Sequence, residues 1–322
     1  MNNKRDIYTA SNISNPDDIK TRIINIDSRF RQKNDNGNDI SGSSSTNFIY
    51  DFSYTLYPRN VIFMRIASVE IPNMWYNFSA NQHNTIFDIS MVDCSGIKHN
   101  NTINIPDGIY TTEDLVNVIG IELKAIDPLF TISFNMTTLR ISFCYCSPFE
   151  INFDTFYIDA NGISISERNF EKTLGYKLGF RLPDINGTRT FYDTGYSATM
   201  PYTLTSTASI DVIGNSYILL GIEGYHAVEQ RLIDYNNFKR SAGIRYTAKI
   251  IVREEKGSVI YDDGSSLISS NIIPKSPINI FELKIKLMDG YGSILNLNGL
   301  DFSFTIEIIE LVNLSIFNTV NT

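Results

Sequence analysis

Two stretches near the C-terminal end of the chain decide the fold: residues 280–287 read IFELKIKL and residues 301–309 read DFSFTIEII. In the first, large apolar residues alternate with Glu and Lys. In the second, Phe and Ile alternate with Ser, Thr and Glu. A period of two places the apolar side chains on one face of a β-strand. A slip of one residue would move the whole apolar row into water, so both stretches predict half-buried strands with a fixed register.

The same pattern recurs upstream. Residues 61–71 form a nearly continuous apolar run closed by Pro72, as expected of a strand buried on both faces. Further strands are predicted at 48–52, 85–92, 102–105, 130–134, 139–145, 209–212, 217–222 and 246–253. About ten to twelve short strands separated by turn residues favour an all-β sandwich or jelly roll over a parallel α/β sheet.

One helix interrupts the strands. Thr111 and Asp114 form an acidic variant of a capping box, and apolar residues then recur at helical spacing. Asp127-Pro128 ends the pattern, so a helix is predicted over residues 112–126. Residues 166–176 predict a second, shorter helix.

Composition excludes several classes of protein. The 322 residues carry 27 Lys+Arg against 35 Asp+Glu, a net charge of −8, and this acidic balance argues against a dedicated nucleic-acid binder. Three Cys are too few for a disulfide scaffold. No run approaches the ~20 apolar residues that a membrane-spanning helix needs. The sequence therefore predicts no membrane span.

A search for catalytic chemistry finds no motif, so we expect no enzyme activity, no cofactor and no bound metal. His83, Cys94 and His99 surround one predicted hairpin and could in principle supply three metal ligands. Exposed loop histidines beside a strand-end cysteine are the favoured interpretation. Cys144 and Cys146 lack the spacing of zinc and redox motifs and are interpreted as simple thiols.

Three aromatic residues, Trp75, Tyr76 and Phe78, follow the longest predicted strand. Because Trp and Tyr are favoured at the centres of interfaces, they form a candidate partner-contact loop. A glycan-binding or attachment module that uses these rings is the alternative function. A loop folded back over the end of the sandwich is the competing structural interpretation.

The expected organisation is an extended polar N-terminal arm at residues 1–22 followed by a jelly-roll domain at 23–322. An inserted subdomain has room within residues 112–208. A second polar segment, residues 32–47, is rich in Gly, Ser and Asn. Such segments cannot bury enough apolar surface to order alone, but they can order against a partner.

Several short blocks are spread along the chain. They are INIDSRFR (24–31), SVEIPN (68–73) with WY (75–76) and FS (78–79), IPDGIYT (105–111) with DL (114–115), LGYKLG (174–179), LMDGYG (287–292), LNG (297–299) and DFSFT (301–305). Taken together and in this order, the blocks resemble minor capsid and penton-type proteins of the nucleocytoplasmic large DNA viruses, the giant viruses.

The resemblance implies a jelly roll built into an icosahedral shell, either at the five-fold vertex or as a minor lattice component. It implies a non-enzymatic structural virion protein that is made in the host cytoplasm. Expected partners are the major capsid protein, other minor capsid proteins and further copies of the chain, as a pentamer if it lies at the vertex.

Overall fold

The computed structural model describes residues 18–52, 57–82, 84–93, 95–153, 172–181, 195–198, 202–224, 228–231, 243–265, 267–269 and 271–312. The chain divides into two compact units. The first combines Met1–Trp75 with Asn215–Thr322, and the second is Tyr76–Gly214. The second unit therefore interrupts the first in sequence. It begins well before residue 112, where the sequence places the start of an inserted subdomain.

The first unit is built from antiparallel strands, numbered here along the whole chain. They are β1 (Ile19–Asp27), β2 (Asn47–Asp51), β3 (Val61–Pro72), β11 (Tyr217–Ile222), β12 (Val228–Arg231), β13 (Gly243–Tyr246), β14 (Ala248–Ile251), β15 (Val259–Asp262), β16 (Ile268–Ser269), β17 (Glu282–Met288) and β18 (Ser303–Leu311).

These strands form two principal sheets, ordered β1-β18-β3-β15 and β16-β14-β11-β17-β2, while β12 and β13 pair separately. Setting aside β12, β13 and β16, the other eight strands can be lettered B to I in chain order. The sheets then read B-I-D-G and F-E-H-C, which is the strand order of a jelly roll. The predicted all-β jelly roll is confirmed.

The core of this sandwich comes from the alternation that the sequence showed. Phe304, Ile306 and Ile308 of β18 and the leucines and isoleucine of β17 are fully buried in one cluster. Glu307, expected on the solvent face of β18, is also buried. Its carboxylate lies 2.6 Å from the Arg65 guanidinium on the neighbouring strand, and this charge-assisted contact offsets the cost of burial.

Parts of both predicted polar segments lie among the described residues. Most of the predicted arm, residues 1–17, lies outside the described residues, but residues 19–22 belong to β1 and pair with β18. In the segment 32–47, the backbones of Lys33 and Asp39 form an isolated antiparallel β-bridge. The Arg31 guanidinium, just before this segment, forms ion pairs with Asp39 and Asp301, each at 2.7 Å. Contacts within the unit therefore order part of this segment.

The described residues of the second unit form two sheets and two α-helices. Its elements are β4 (Ile86–Val92), β5 (Lys98–Asn104), α1 (Thr112–Ile126), β6 (Thr131–Asn135), β7 (Arg140–Cys144), β8 (Phe149–Asn152), α2 (Leu174–Lys177), β9 (Gly195–Ala198) and β10 (Thr203–Thr205). The sheets are ordered β5-β4-β8-β9 and β10-β7-β6. The inward face of α1 (Leu115, Ile119 and Leu123) is fully buried in the apolar core of this unit.

The predicted helix 112–126 is correct in both bounds, and the Thr111 hydroxyl accepts a hydrogen bond from the Asp114 N–H. Of the second predicted helix, residues 166–171 lie outside the described residues, and α2 covers Leu174–Lys177 at its C-terminal end. The strand predicted at 209–212 is wrong. There the Ile210 N–H bonds to Leu139 and the Asp211 N–H to Lys177, two unrelated segments rather than one partner strand.

Among the described residues, no helix is both long and apolar enough to cross a bilayer.

Candidate interaction surface

Trp75 ends the segment that leaves β3 for the second unit, and its indole lies in the core of the sandwich with 2% of its surface exposed. The Lys256 ammonium sits 4.0 Å from the centre of the indole ring and donates to the Trp75 carbonyl at 2.8 Å. Burial lowers the pKa of Lys256 to about 8. Trp75 is therefore a core residue held by a cation–π contact. A glycan-binding surface, the alternative function, needs an exposed aromatic ring, and the Trp75 indole is not exposed.

Two loops of the sandwich hold the backbone just before Trp75. In the loop between β14 and β15, the Ser258 carbonyl accepts from the Asn73 N–H at 2.9 Å. In the loop between β17 and β18, the Asn298 side-chain amide donates to the Met74 carbonyl at 2.5 Å. The Asn73 N–H and the Met74 carbonyl are therefore each bonded to a loop of the sandwich, and these two hydrogen bonds hold the segment in place.

The other two aromatic residues of the predicted contact loop belong to the second unit. Phe78 is completely buried and packs edge-on against Tyr110, with ring centres 5.8 Å apart. Tyr76 is half-buried, and its carbonyl accepts from the Gln82 side chain. Trp75 and Phe78 thus contribute to two different cores. The structure does not bring the three rings together as one exposed surface.

The candidate metal ligands do not meet in the described part of the chain. His83 and Cys94 lie outside the described residues, while His99 pairs with Asp93 at 2.9 Å. The His99 ring holds the pKa of Asp93 below its usual range. Within the described ranges, no group of three or more His, Cys, Asp and Glu side chains is arranged to hold a metal ion.

Exposed apolar side chains instead lie along β1, which forms one edge of the β1-β18-β3-β15 sheet. Ile23 of β1 and Phe30, just beyond it, each expose 75% of their surface. The Val312 N–H donates to the Asp18 carbonyl and the Ser28 N–H to the Phe302 carbonyl, so even-numbered residues bond to β18. Because an antiparallel ladder alternates, the N–H and C=O groups of the odd-numbered residues point away from the sheet.

The opposite edge of the same sheet, formed by β15, has the same character. Val259 and Tyr261 expose 56% and 64% of their surface. The Asn73 N–H donates to the Ser258 carbonyl, so the even-numbered residues of β15 bond to β3. The backbone groups of Val259 and Tyr261 therefore face outward, and no described strand pairs with them.

Sequence reasoning missed both edges. A signal for β1 was present, since five of its nine residues are β-branched: Ile19, Thr21, Ile23, Ile24 and Ile26. Interleaved Lys, Arg and Asn masked that signal. Which residues face outward depends on strand pairing, and pairing is not encoded in the local pattern.

The fold and these edges define a class, the jelly-roll sandwich with a second unit inserted between its third and fourth strands. No protein-family model and no curated protein sequence matches the chain. Among solved structures, the chain is similar to the mavirus penton protein, known from a crystal structure of its selenomethionine form. The TM-score is 0.44 at 12% identity, over 91% of this chain and 99% of that one. At this identity the similarity concerns the fold alone.

Proposed function

We propose that this chain is a non-enzymatic structural subunit of an icosahedral giant-virus capsid, placed as a penton protein at the five-fold vertex. The observation that carries the proposal is the strand order B-I-D-G and F-E-H-C within one unit. Jelly rolls of this order are recurrent in viral capsids, although the fold alone does not define a function. Contacts between particular residues therefore also have to support the proposal.

Two of the sequence blocks that resemble capsid proteins meet in space. The Ser28 hydroxyl, in the block 24–31, donates to the Asp301 carboxylate of the block 301–305 at 2.7 Å. Arg31 of the first block contacts the same carboxylate. Blocks more than 270 residues apart in the chain therefore build one hydrogen-bonded corner of the sandwich. These contacts give the two blocks a common structural role where the end of β1 meets the start of β18, which supports the proposal.

The two edges of the β1-β18-β3-β15 sheet, with which no described strand pairs, also support the proposal that the chain is a subunit of an assembly. Proteins that work as free monomers normally protect sheet edges, because an exposed edge with apolar side chains recruits other chains. A shell subunit covers such edges with its neighbours. The proposed partners are further copies of the chain, the major capsid protein and other minor capsid proteins, and the proposed location is the virion, after synthesis in the host cytoplasm.

Proteomics of purified particles tests the proposal. We expect the chain among the virion proteins, at a constant ratio to the major capsid protein through repeated purification. A protein found in infected cells but lost from purified particles would contradict a structural role.

A further inference from the structure

The two edges of the β1-β18-β3-β15 sheet differ from each other but have complementary properties. The β1 edge offers nine residues of strand and the β15 edge offers four. They lie at opposite ends of one sheet. A contact between unlike edges of two copies is heterologous, and such contacts close into a ring when the rotation between copies permits.

Charge distinguishes the two edges. At β15, exposed carboxylates stand at both ends, Glu255 before the strand and Asp263 after it. Hydrogen bonds from Ser265 hold the pKa of Asp263 below its usual range, so this carboxylate is ionised at neutral pH. At β1, Lys20 is exposed near the start of the strand and Arg29 follows its end. Arg29 also pairs with Asp27, yet two thirds of its side chain remains exposed.

The order of these charges fits an antiparallel pairing. Arg29 lies in the short 3-10 helix Ser28–Phe30, and the Glu255 carbonyl accepts from the Ser258 N–H in a turn, so both residues lie just beyond the extended strands. An antiparallel register that places Lys20 beside Asp263 also directs the Arg29 end of β1 towards the Glu255 end of β15.

The same register sets Ile23 opposite Tyr261. Tyr261 pairs with Glu70, Glu70 with Ser303 and Ser303 with Asp27, so Tyr261 and Asp27 lie on one face of the sheet. Ile23 is four residues from Asp27 and shares that face. Both Ile23 and Tyr261 also point their backbone groups outward, which is the condition for a hydrogen-bonded pair whose exposed side chains contact each other.

We propose that β15 of one copy adds antiparallel to β1 of the next, with Ile23 opposite Tyr261, and that this heterologous contact joins the copies into a ring. The inference rests on the proposed capsid function and specifies the contact that this function requires. The occupant of each edge is a second copy of the chain, because the exposed basic residues at β1 and the exposed acidic residues at β15 are complementary in charge and both edges carry exposed apolar side chains.

Disulfide trapping tests the contact in the full chain, with Cys94, Cys144 and Cys146 first replaced by Ser. We expect the double variant Ile23→Cys/Tyr261→Cys to form disulfide-linked oligomers up to a closed ring, since residues paired in this way have Cα atoms within disulfide range. Each single variant should remain uncrosslinked. The matched control is Ile49→Cys/Tyr261→Cys, which places one thiol on β2 at the edge of the other sheet and should also remain uncrosslinked.

Specific outcomes separate the inference from the proposed function. Crosslinking by Ile23→Cys alone would show that two β1 edges pair with each other and would overturn the inference. Rings in solution without crosslinking of the double variant would also overturn it, while leaving the capsid proposal intact. A chain that stays monomeric in solution would overturn the proposed contact. Absence of the chain from purified virus particles would separately overturn the capsid proposal.

A proline variant gives a second readout. Ile23→Pro removes an outward N–H and no hydrogen bond of its own sheet, so the fold should tolerate it as edge strands do. We expect it to abolish the ring while circular dichroism stays unchanged. Ile49→Pro, the matched change at the edge of the other sheet, should leave the ring intact. Rings that persist in Ile23→Pro would contradict the pairing.

Discussion

Replacing Trp75 by Ala tests whether the indole is a core residue or a contact group. Its side chain is 2% exposed, and burying a Trp removes roughly 200 Å² from water. At about 25 cal/mol per Å² this amounts to ~5 kcal/mol, an upper bound because unfolded chains already bury part of this surface. We therefore expect Trp75→Ala to lower the free energy of unfolding by about 3–5 kcal/mol.

Urea unfolding followed by far-UV circular dichroism measures the effect, since the variant lacks the only Trp of the chain. With a slope of about 2–3 kcal/mol per M, the midpoint of the sandwich transition should fall by roughly 1–2 M. Phe30→Ala is the control, because Phe30 is 75% exposed and its loss should change stability by less than about 0.5 kcal/mol. Equal, small effects of the two substitutions would refute the burial of Trp75.

Three further predictions concern local structure. Because the folded chain releases the Lys256 proton at a pKa of about 8, against 10.5 for an ordinary lysine, stability should rise by up to about 3 kcal/mol between pH 8 and 10.5. Urea midpoints measured across this range should lose that rise in Lys256→Met; equal slopes in both proteins would contradict it. Thr111→Ala removes the acceptor for the Asp114 N–H and should cost about 1 kcal/mol in thermal unfolding, whereas Thr112→Ala should not. Gly179 has φ +94° and a Cβ there would lie 2.2 Å from the Ala208 carbonyl oxygen. Gly179→Ala should therefore lower the melting temperature more than Gly96→Ala, where φ is +86° but no atom lies within 4 Å; equal shifts would show that this close approach is absent.

The sequence predicted the sandwich where local pattern and burial agree. The apolar residues of β17 and β18 alternate with polar ones as far as Leu287 and Ile308, and Thr111 caps α1 as the capping pattern indicates. In these elements the periodicity identifies the core-facing apolar side chains without knowledge of the partner strands.

Long-range pairing decided the features that the sequence did not reveal. The sequence alone predicts residues 19–22 to be part of a polar arm, whereas in the structure they belong to β1 and pair with β18. Trp75 reads equally well as an exposed or a buried ring, and the position of Lys256, 181 residues away, decides between them. The outward direction of Ile23 and Tyr261 depends on the register of each with its inner neighbour. The local sequence pattern does not specify these long-range contacts.

The central claim is the proposed place of this chain at a capsid vertex, and a reconstruction of icosahedral particles that contain the chain tests it most directly. We predict five copies of the jelly roll around each five-fold axis, with β15 of each copy beside β1 of the next. Vertex density that fits a different chain would contradict this placement.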